Sequence, residues 1–267
     1  MINSSNTVFY VVNLKKDFQR RLDIEKELLK QKINKFNFID AVDGNQLSEK
    51  TLKDSVYQNN SNYYKWHIKL SKSQNGCALS HIKIYKKFIK SNYDYAFIFE
   101  DDAIFRCNFN DEVKKLISDS FTQKKNQILL LGELKNFFKK PIVKSKNFKV
   151  VDTETAYFTH AYVINKGAAN KILNFNFPVK TVADNHLMWK LYLSINIYGV
   201  DPIIVDQNKD FYSNIEYENI FKDIKQIEKS IPFYQKQILW KRKIYKLKVK
   251  ILKIFCPFLF DSHLRRN

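Results

Sequence analysis

Apolar positions fall along this chain in two rhythms, one suited to strands and one to helices, and their alternation predicts a layered fold. Residues 7–14, Thr-Val-Phe-Tyr-Val-Val-Asn-Leu, form the continuous apolar run of a strand buried on both faces. A polar helix follows, with Leu22, Leu28 and Leu29 as its apolar positions. Residues 36–41 then supply a second strand that ends at the turn-forming pair Asp43-Gly44. Strand, helix and strand in this order make a βαβ opening, whose right-handed crossover sets the two strands parallel. Residues 79–89 predict a helix, with Leu79, Ile82, Tyr85, Phe88 and Ile89 at helical spacing. Buried strands are predicted at 95–99, 128–131 and 157–164, helices at 167–173 and 182–192, and a last strand at 199–205. Residues 45–75 are rich in Asn, Lys and Ser and weakly patterned, which suits short helices or a mobile excursion. The alternation defines an α/β domain, expected to occupy residues 1–227.

From Glu228 onward the pattern changes. Ile244, Leu247, Ile251, Ile254, Phe255 and Phe258 recur every three or four residues, Lys243, Lys246, Lys250 and Lys253 crowd around them, and Pro257 interrupts the helix. Residues 228–267 are therefore read as a basic amphipathic helical extension. Two placements fit this pattern. The apolar side sinks into a membrane interface, or it docks on the domain and leaves the lysines in water.

Charge favours a surface partner for this extension. The chain of 267 residues carries a formal charge of +19. Between Lys236 and Arg266, seven Lys and three Arg face Asp261 alone, so a net +9, about half the excess, lies in the last eighth of the chain. Such concentration suits an anionic inner-membrane surface or a nucleic acid better than a uniformly basic fold does. A nucleic-acid binder would place basic and aromatic residues together in a groove of the folded domain; here the central motif is acidic, and no nucleic-acid partner is expected. Cys77, Cys107 and Cys256 are odd in number and widely spaced, without a CxxC pair or a Cys/His cluster, so neither a disulfide framework nor a structural metal is expected. The polar N-terminus lacks a signal-peptide core, and no uncharged apolar run approaches the roughly 20 residues that span a bilayer. The expected location is cytoplasmic, peripherally associated with the inner face of the cytoplasmic membrane.

The chemistry centres on Glu100-Asp101-Asp102, directly after the apolar run 95–99. Three successive acids repel one another and are costly unless compensated. In α/β sheets the carboxyl end of a strand opens onto the ligand crevice, and on an extended chain Glu100 and Asp102 project to the same side. Two such oxygen ligands can share a hard divalent cation, which also bridges two phosphates of a donor and stabilises a diphosphate leaving group. The plainer alternative is a solvated turn that caps a following helix. A second block is Gly76-Cys77-Ala78-Leu79-Ser80-His81. Gly76 permits close backbone approach, the helix N-terminus after it suits an anion, and Ser80 and His81 would face a donor; the alternative for His81 is a satisfied structural histidine. Asp184, in Val182-Ala183-Asp184-Asn185-His186, stands either as a general base or as the cap of the helix behind it.

Several blocks occur together over roughly residues 7–215. They are Val11-Val12-Asn13-Leu14 with Arg20-Arg21, Phe38-Ile39-Asp40-Ala41-Val42-Asp43-Gly44, the Gly76–His81 block, and Ile98-Phe99-Glu100-Asp101-Asp102. Ala161-Tyr162-Val163-Ile164 with Gly167-Ala168 comes next, then Val200-Asp201-Pro202-Ile203-Ile204-Val205 before Gln207 and Ser213. In this order the chain resembles the family-25 glycosyltransferases, the bacterial lipooligosaccharide galactosyltransferase type that also includes collagen galactosyltransferases. The resemblance implies a GT-A fold, Rossmann-like and nucleotide-sugar-binding. It also implies a nucleoside-diphosphate sugar donor, usually UDP-galactose, commonly with Mn²⁺, and transfer with inversion to a lipid-linked oligosaccharide such as a lipooligosaccharide or lipopolysaccharide. By analogy Asp102 is the first metal ligand, Glu100 lies on the ribose or on a metal-bound water, and Asp101 belongs to the donor site. Asn13, Arg20 and Asp43 fall where the nucleotide would lie, with a solvated helix position as the alternative for Arg20. Asp184 follows Pro178-Val179, a pair after which family members often carry an acid, although Lys180 occupies the closer position where that acid is frequent. Competing classes are another UDP-sugar donor (glucose or N-acetylhexosamine), a basic nucleic-acid-binding protein, and a catalytically silent membrane scaffold.

Overall fold

The structure is a computed structural model that describes every residue except 1–2, 4, 57–69, 122–125, 157, 209–232, 257–258 and 262–267. Its strands are β1 (Thr7–Asn13), β2 (Asn37–Asp40), β3 (Tyr95–Glu100), β4 (Ala103–Phe105), β5 (Gln127–Leu130), β6 (Leu134–Lys144), β7 (Lys149–Ala156), β8 (Ala161–Asn165), β9 (Asn196–Asp201), β10 (Val205–Gln207) and β11 (Phe260–Asp261). Its helices are α1 (Phe18–Lys30), α2 (Glu49–Ser55), α3 (Lys72–Ile89), α4 (Asp111–Ser120), α5 (Lys166–Asn176), α6 (His186–Tyr192) and α7 (Phe233–Phe255), with a 3-10 turn at Gly44–Gln46.

Among the described residues one nine-stranded sheet runs β11-β6-β7-β9-β5-β8-β3-β1-β2, and β4 pairs with β10 in a separate antiparallel ribbon. The β1–α1–β2 unit is the expected parallel opening, β1 is also parallel to β3, and β5 is parallel to β9. The remaining pairs of the large sheet are antiparallel. Side-chain alternation divides the core between the two sheet faces. Val8, Tyr10 and Val12 of β1 join Ala96 and Ile98 of β3 under α3 and α5. Val11 joins Phe97 and Phe99 on the other face, under Ile24 and Leu28 of α1 and Val113, Leu116 and Ile117 of α4. This is the α/β class expected from the sequence.

Several elements differ from expectation, each for a physical reason. In α1 Ile24 and Leu28 are the buried positions, whereas Leu29 is exposed. The helix expected from residue 79 begins at Lys72, because Ser71 and Gln74 form a capping box and the buried face of the first turns is polar (Gln74, Asn75), where apolar periodicity is silent. The strand expected from 157 begins only at Ala161, after Phe158 with φ 73°; Tyr157 lies outside the described residues. The strand read at 199–205 is two strands, β9 and β10, separated at Pro202, and the helix read from 182 starts at His186. The sequence reading missed α4, β4 and the β6–β7 hairpin. That hairpin carries several register shifts, and much of β6 is exposed, so neither period shows in its sequence.

The C-terminal helix forms, but it docks with an unexpected face. Val249 is buried and Tyr245 and Lys253 are partly buried, with Lys253 Nζ 2.9 Å from Glu154 Oε2 on β7. Ile244, Leu247, Ile251, Ile254 and Phe255, the stripe expected either to dock or to enter a membrane, are exposed. Among the described residues, that stripe does not pack on the domain. Pro257, Phe258 and Ser213 lie outside the described residues.

Candidate active site

The carboxyl ends of β1, β2 and β3 open on one cavity of about 200 Å³, lined by Asn13, Arg20, Asp43, Ser80, His81, Glu100, Asp101 and Asp102 among others. Eight of the residues singled out from sequence thus meet in one place. They do so because β1 pairs with β2 and β3 in parallel register, with Val12 opposite both Ile39 and Glu100.

Gly76 sits beside this cavity inside α3, not ahead of a helix N-terminus, so the expected anion site there is not formed. Its close-approach role is real: a Cβ on Gly76 would lie 2.5 Å from the Val42 carbonyl oxygen and 2.7 Å from the Gly44 nitrogen. Ser80, one turn on, donates to the Gly76 carbonyl (2.7 Å) and accepts from the Val42 amide (2.8 Å). Together they clamp the loop after β2 onto α3, and that loop carries Asp43. Asp43 in turn accepts from Lys16 (2.7 Å) and caps the 3-10 turn through the Asn45 amide, and these bonds hold its carboxyl below the usual range.

Three carboxylates at the cavity floor have different surroundings. Asp101 is ion-paired with Arg20 and accepts from Asn13 Nδ2 at 2.8 Å. Burial outweighs both partners and lifts its pKa to about 6. Arg20 is therefore a largely buried partner of the acidic cluster, not a solvated helix residue. Burial works to raise Glu100 as well, but bonds from His81 and Thr159 prevail and hold it below its usual range. His81 is fully engaged, its Nε2 3.2 Å from Glu100 and its Nδ1 2.8 Å from the Tyr162 hydroxyl, which meets that of Tyr85 at 2.8 Å. Ser80 and His81 thus line the cavity with their polar atoms committed to protein partners.

Asp102 is raised by burial and then by Glu100. Its Oδ2 accepts from Gln207 Nε2 at 2.7 Å and lies 3.5 Å from Arg20; its Oδ1 is buried and has no hydrogen-bond partner among the described residues. Like charges held close together in a buried site repel one another, and among the described residues Arg20 is the cation ion-paired with Asp101 and Asp102. A divalent cation fits this deficit: an orphaned buried oxygen, a second carboxylate in the same cavity, and hard oxygen donors. Cys77, His81 and Glu100 also bring ligand atoms within 4.8 Å of one another, a cluster the sequence spacing had not suggested. Burial, then Glu100 and Asp184, push the Cys77 thiol well above its usual range, and a soft sulfur donor suits a hard divalent cation less than carboxylate oxygens do. The Asp102 side fits better.

A second cavity of about 130 Å³ shares Glu100, Cys77 and Gln207 with the first and is lined further by Phe158, Thr159, His160 and Asp184. Asp184 Oδ2 accepts from the Phe158 amide at 3.1 Å. It does not cap α6: Asn185 does, through the Met188 amide. His186 is buried, with Nε2 3.1 Å from the Phe158 carbonyl oxygen. Gln207 and Thr159 are the site residues to which sequence reasoning gave no role. Gln207 arrives across the β4–β10 ribbon, where it stands opposite Ala103.

An α/β fold with an acidic triplet at the carboxyl end of β3, next to the parallel β1, is the GT-A organisation that the resemblance implied. The chain belongs to glycosyltransferase family 25: the model described as "Glycosyltransferase family 25 (LPS biosynthesis protein)" matches residues 6–188. It is 28% identical over 220 residues to the lipooligosaccharide biosynthesis protein lic2B of Haemophilus influenzae, covering 76% of this chain and 77% of that one. It is 26% identical to human procollagen galactosyltransferase 2 over 62% of this chain and 27% of that one. A mouse relative named inactive glycosyltransferase 25 family member 3 is 27% identical over 61% of this chain and 28% of its own length. The chain therefore spans most of the bacterial relative but under a third of these animal ones. Among solved structures, a Drosophila β-1,4-galactosyltransferase 7 mutant complexed with manganese, UDP-Gal and xylobiose aligns over 83% of this chain and 79% of that one, with 9% identity and a TM-score of 0.39.

Proposed function

We propose that this protein is an active, inverting hexosyltransferase that moves a sugar, galactose from UDP-galactose as first choice, onto a lipid-linked oligosaccharide acceptor at the inner face of the cytoplasmic membrane. The observation that carries this reading is the buried Oδ1 of Asp102, without a hydrogen-bond partner among the described residues, in a cavity that shares a wall with the one holding Asp184. The names of bacterial relatives in lipooligosaccharide biosynthesis support the acceptor class, and the procollagen galactosyltransferases support the donor sugar.

The nucleotide occupies the first cavity, with Asn13, Arg20 and Asp43 around it. Asp102, with Glu100, would hold the cation, Mn²⁺ as first choice, which when bound would supply positive charge against the diphosphate leaving group. The Glu100 carboxylate is held in place by His81 and Thr159, so its orientation is set before the donor arrives. From the second cavity Asp184 takes the proton of the acceptor hydroxyl as that oxygen bonds to the anomeric carbon. The bond from this carbon to the β-phosphate oxygen breaks on the opposite side, and UDP leaves.

A screen of UDP-galactose, UDP-glucose and UDP-N-acetylglucosamine with Mn²⁺, scored by UDP release, tests the reading. Turnover of UDP-galactose that chelator abolishes is the expected result. Failure to bind or turn over any nucleotide sugar sinks the proposal in favour of a silent scaffold, and turnover of a different UDP-sugar replaces galactose.

A further inference from the structure

We propose that the outward face of α7 is a docking surface for an anionic phospholipid bilayer, seated through Trp240, Ile244, Leu247, Ile251, Ile254 and Phe255. At about 100° per residue these six side chains fall within an arc of roughly 100°. They are between 37% and 75% exposed. The opposite side of the helix is the one that meets the protein: Val249 is buried, Tyr245 and Cys256 are partly buried, and Lys253 pairs with Glu154. The helix thus spends one face on the domain and presents a second, wholly apolar face outward, which a helix that merely completes a core has no reason to do.

The occupant follows from the flanks. Lys248 borders the stripe on one side and Lys250 on the other, both exposed, and α7 holds seven Lys and one Arg with no acid. A second copy of the chain would set these lysines against their own equivalents. An anionic headgroup layer neutralises them while its acyl boundary accepts the stripe. No described helix is long and apolar enough to cross a membrane, so the helix lies along the interface. Its docked side packs on α6, and the residues just before α6, Val182 to Asp184, line the second cavity. Bilayer docking therefore fixes the acceptor cavity near the lipid surface. That consequence rests on the transferase reading; the docking surface itself does not.

The test is co-sedimentation of the full chain with vesicles of equimolar phosphatidylglycerol and phosphatidylcholine, against phosphatidylcholine alone. Binding to the anionic vesicles is expected, together with its loss in L247E/I251E and weakening by about thirtyfold in K248Q/K250Q. Both variants should unfold at the wild-type temperature, because these side chains face away from the domain. Undiminished binding by L247E/I251E, or equal binding to both vesicle types, overturns the proposal. So does a wild-type dimer that L247E/I251E dissociates without any vesicle binding. No vesicle binding with UDP release intact removes the docking surface alone; vesicle binding without turnover of any nucleotide sugar leaves the surface standing and removes the transferase reading.

Discussion

Asp102 has one carboxylate oxygen held by Gln207 and Arg20 and the other buried with no partner among the described residues. An acid whose pKa burial and Glu100 raise despite Gln207 and Arg20 costs stability, so truncating it relieves the fold while removing the proposed ligand. Asp102→Ala is expected to abolish sugar transfer and leave the unfolding temperature of the unliganded protein unchanged or higher, checked by UDP release and calorimetry. Asp184 lies outside the donor cavity. Asp184→Asn should lower kcat by about 10²–10⁴-fold with the donor KM near wild type, read from initial rates over a donor series; an unchanged kcat assigns the base elsewhere. Of the site, Asn13, Asp43 and the acidic triplet were legible because each closes an apolar run that is visibly a strand. Thr159 and Gln207 were not legible, since they reach Glu100 and Asp102 across 59 and 105 residues through pairings that leave no local mark.

The element that most changes the site is α3. Its Ser71–Gln74 capping box is a sequence signature, yet the apolar rhythm starts later, which shifts the apparent helix start past Gly76 and suggests an anion site there. With Gly76 in the second turn, its absent Cβ admits the Val42 and Gly44 backbone. Gly76→Ala therefore pushes a methyl into backbone atoms that cannot rotate away. A loss of about 1–3 kcal/mol is expected in urea unfolding, together with weaker UDP binding, because the displaced loop carries Asp43. The β6–β7 hairpin escaped the sequence reading for the opposite reason: mixed exposure and irregular register leave it without either period.

Across the whole molecule the two core layers brace one sheet whose carboxyl-end cavity gathers charge from β1, the α1 start, the loop after β2 and the β3–β4 turn. A ligand that binds only the folded state stabilises all of it. Mn²⁺ with UDP at about a hundred times its Kd should add about 2.7 kcal/mol, seen as a rise in unfolding temperature that chelator reverses and Asp102→Ala lacks. No rise with wild type would count against a metal-dependent donor site.

The sequence alone determined the α/β layering, the βαβ opening, the acidic triplet at a strand end and the basic extension. All of these are written in local periodicity and composition, which physics reads over a few residues. Only the tertiary structure decided that Arg20 is spent on Asp101, that Asn185 and not Asp184 caps α6, that Gln207 meets Asp102, and that α7 turns its apolar stripe outward. These depend on which distant surfaces compete for the same side chain, and that competition is settled only when the chain has packed.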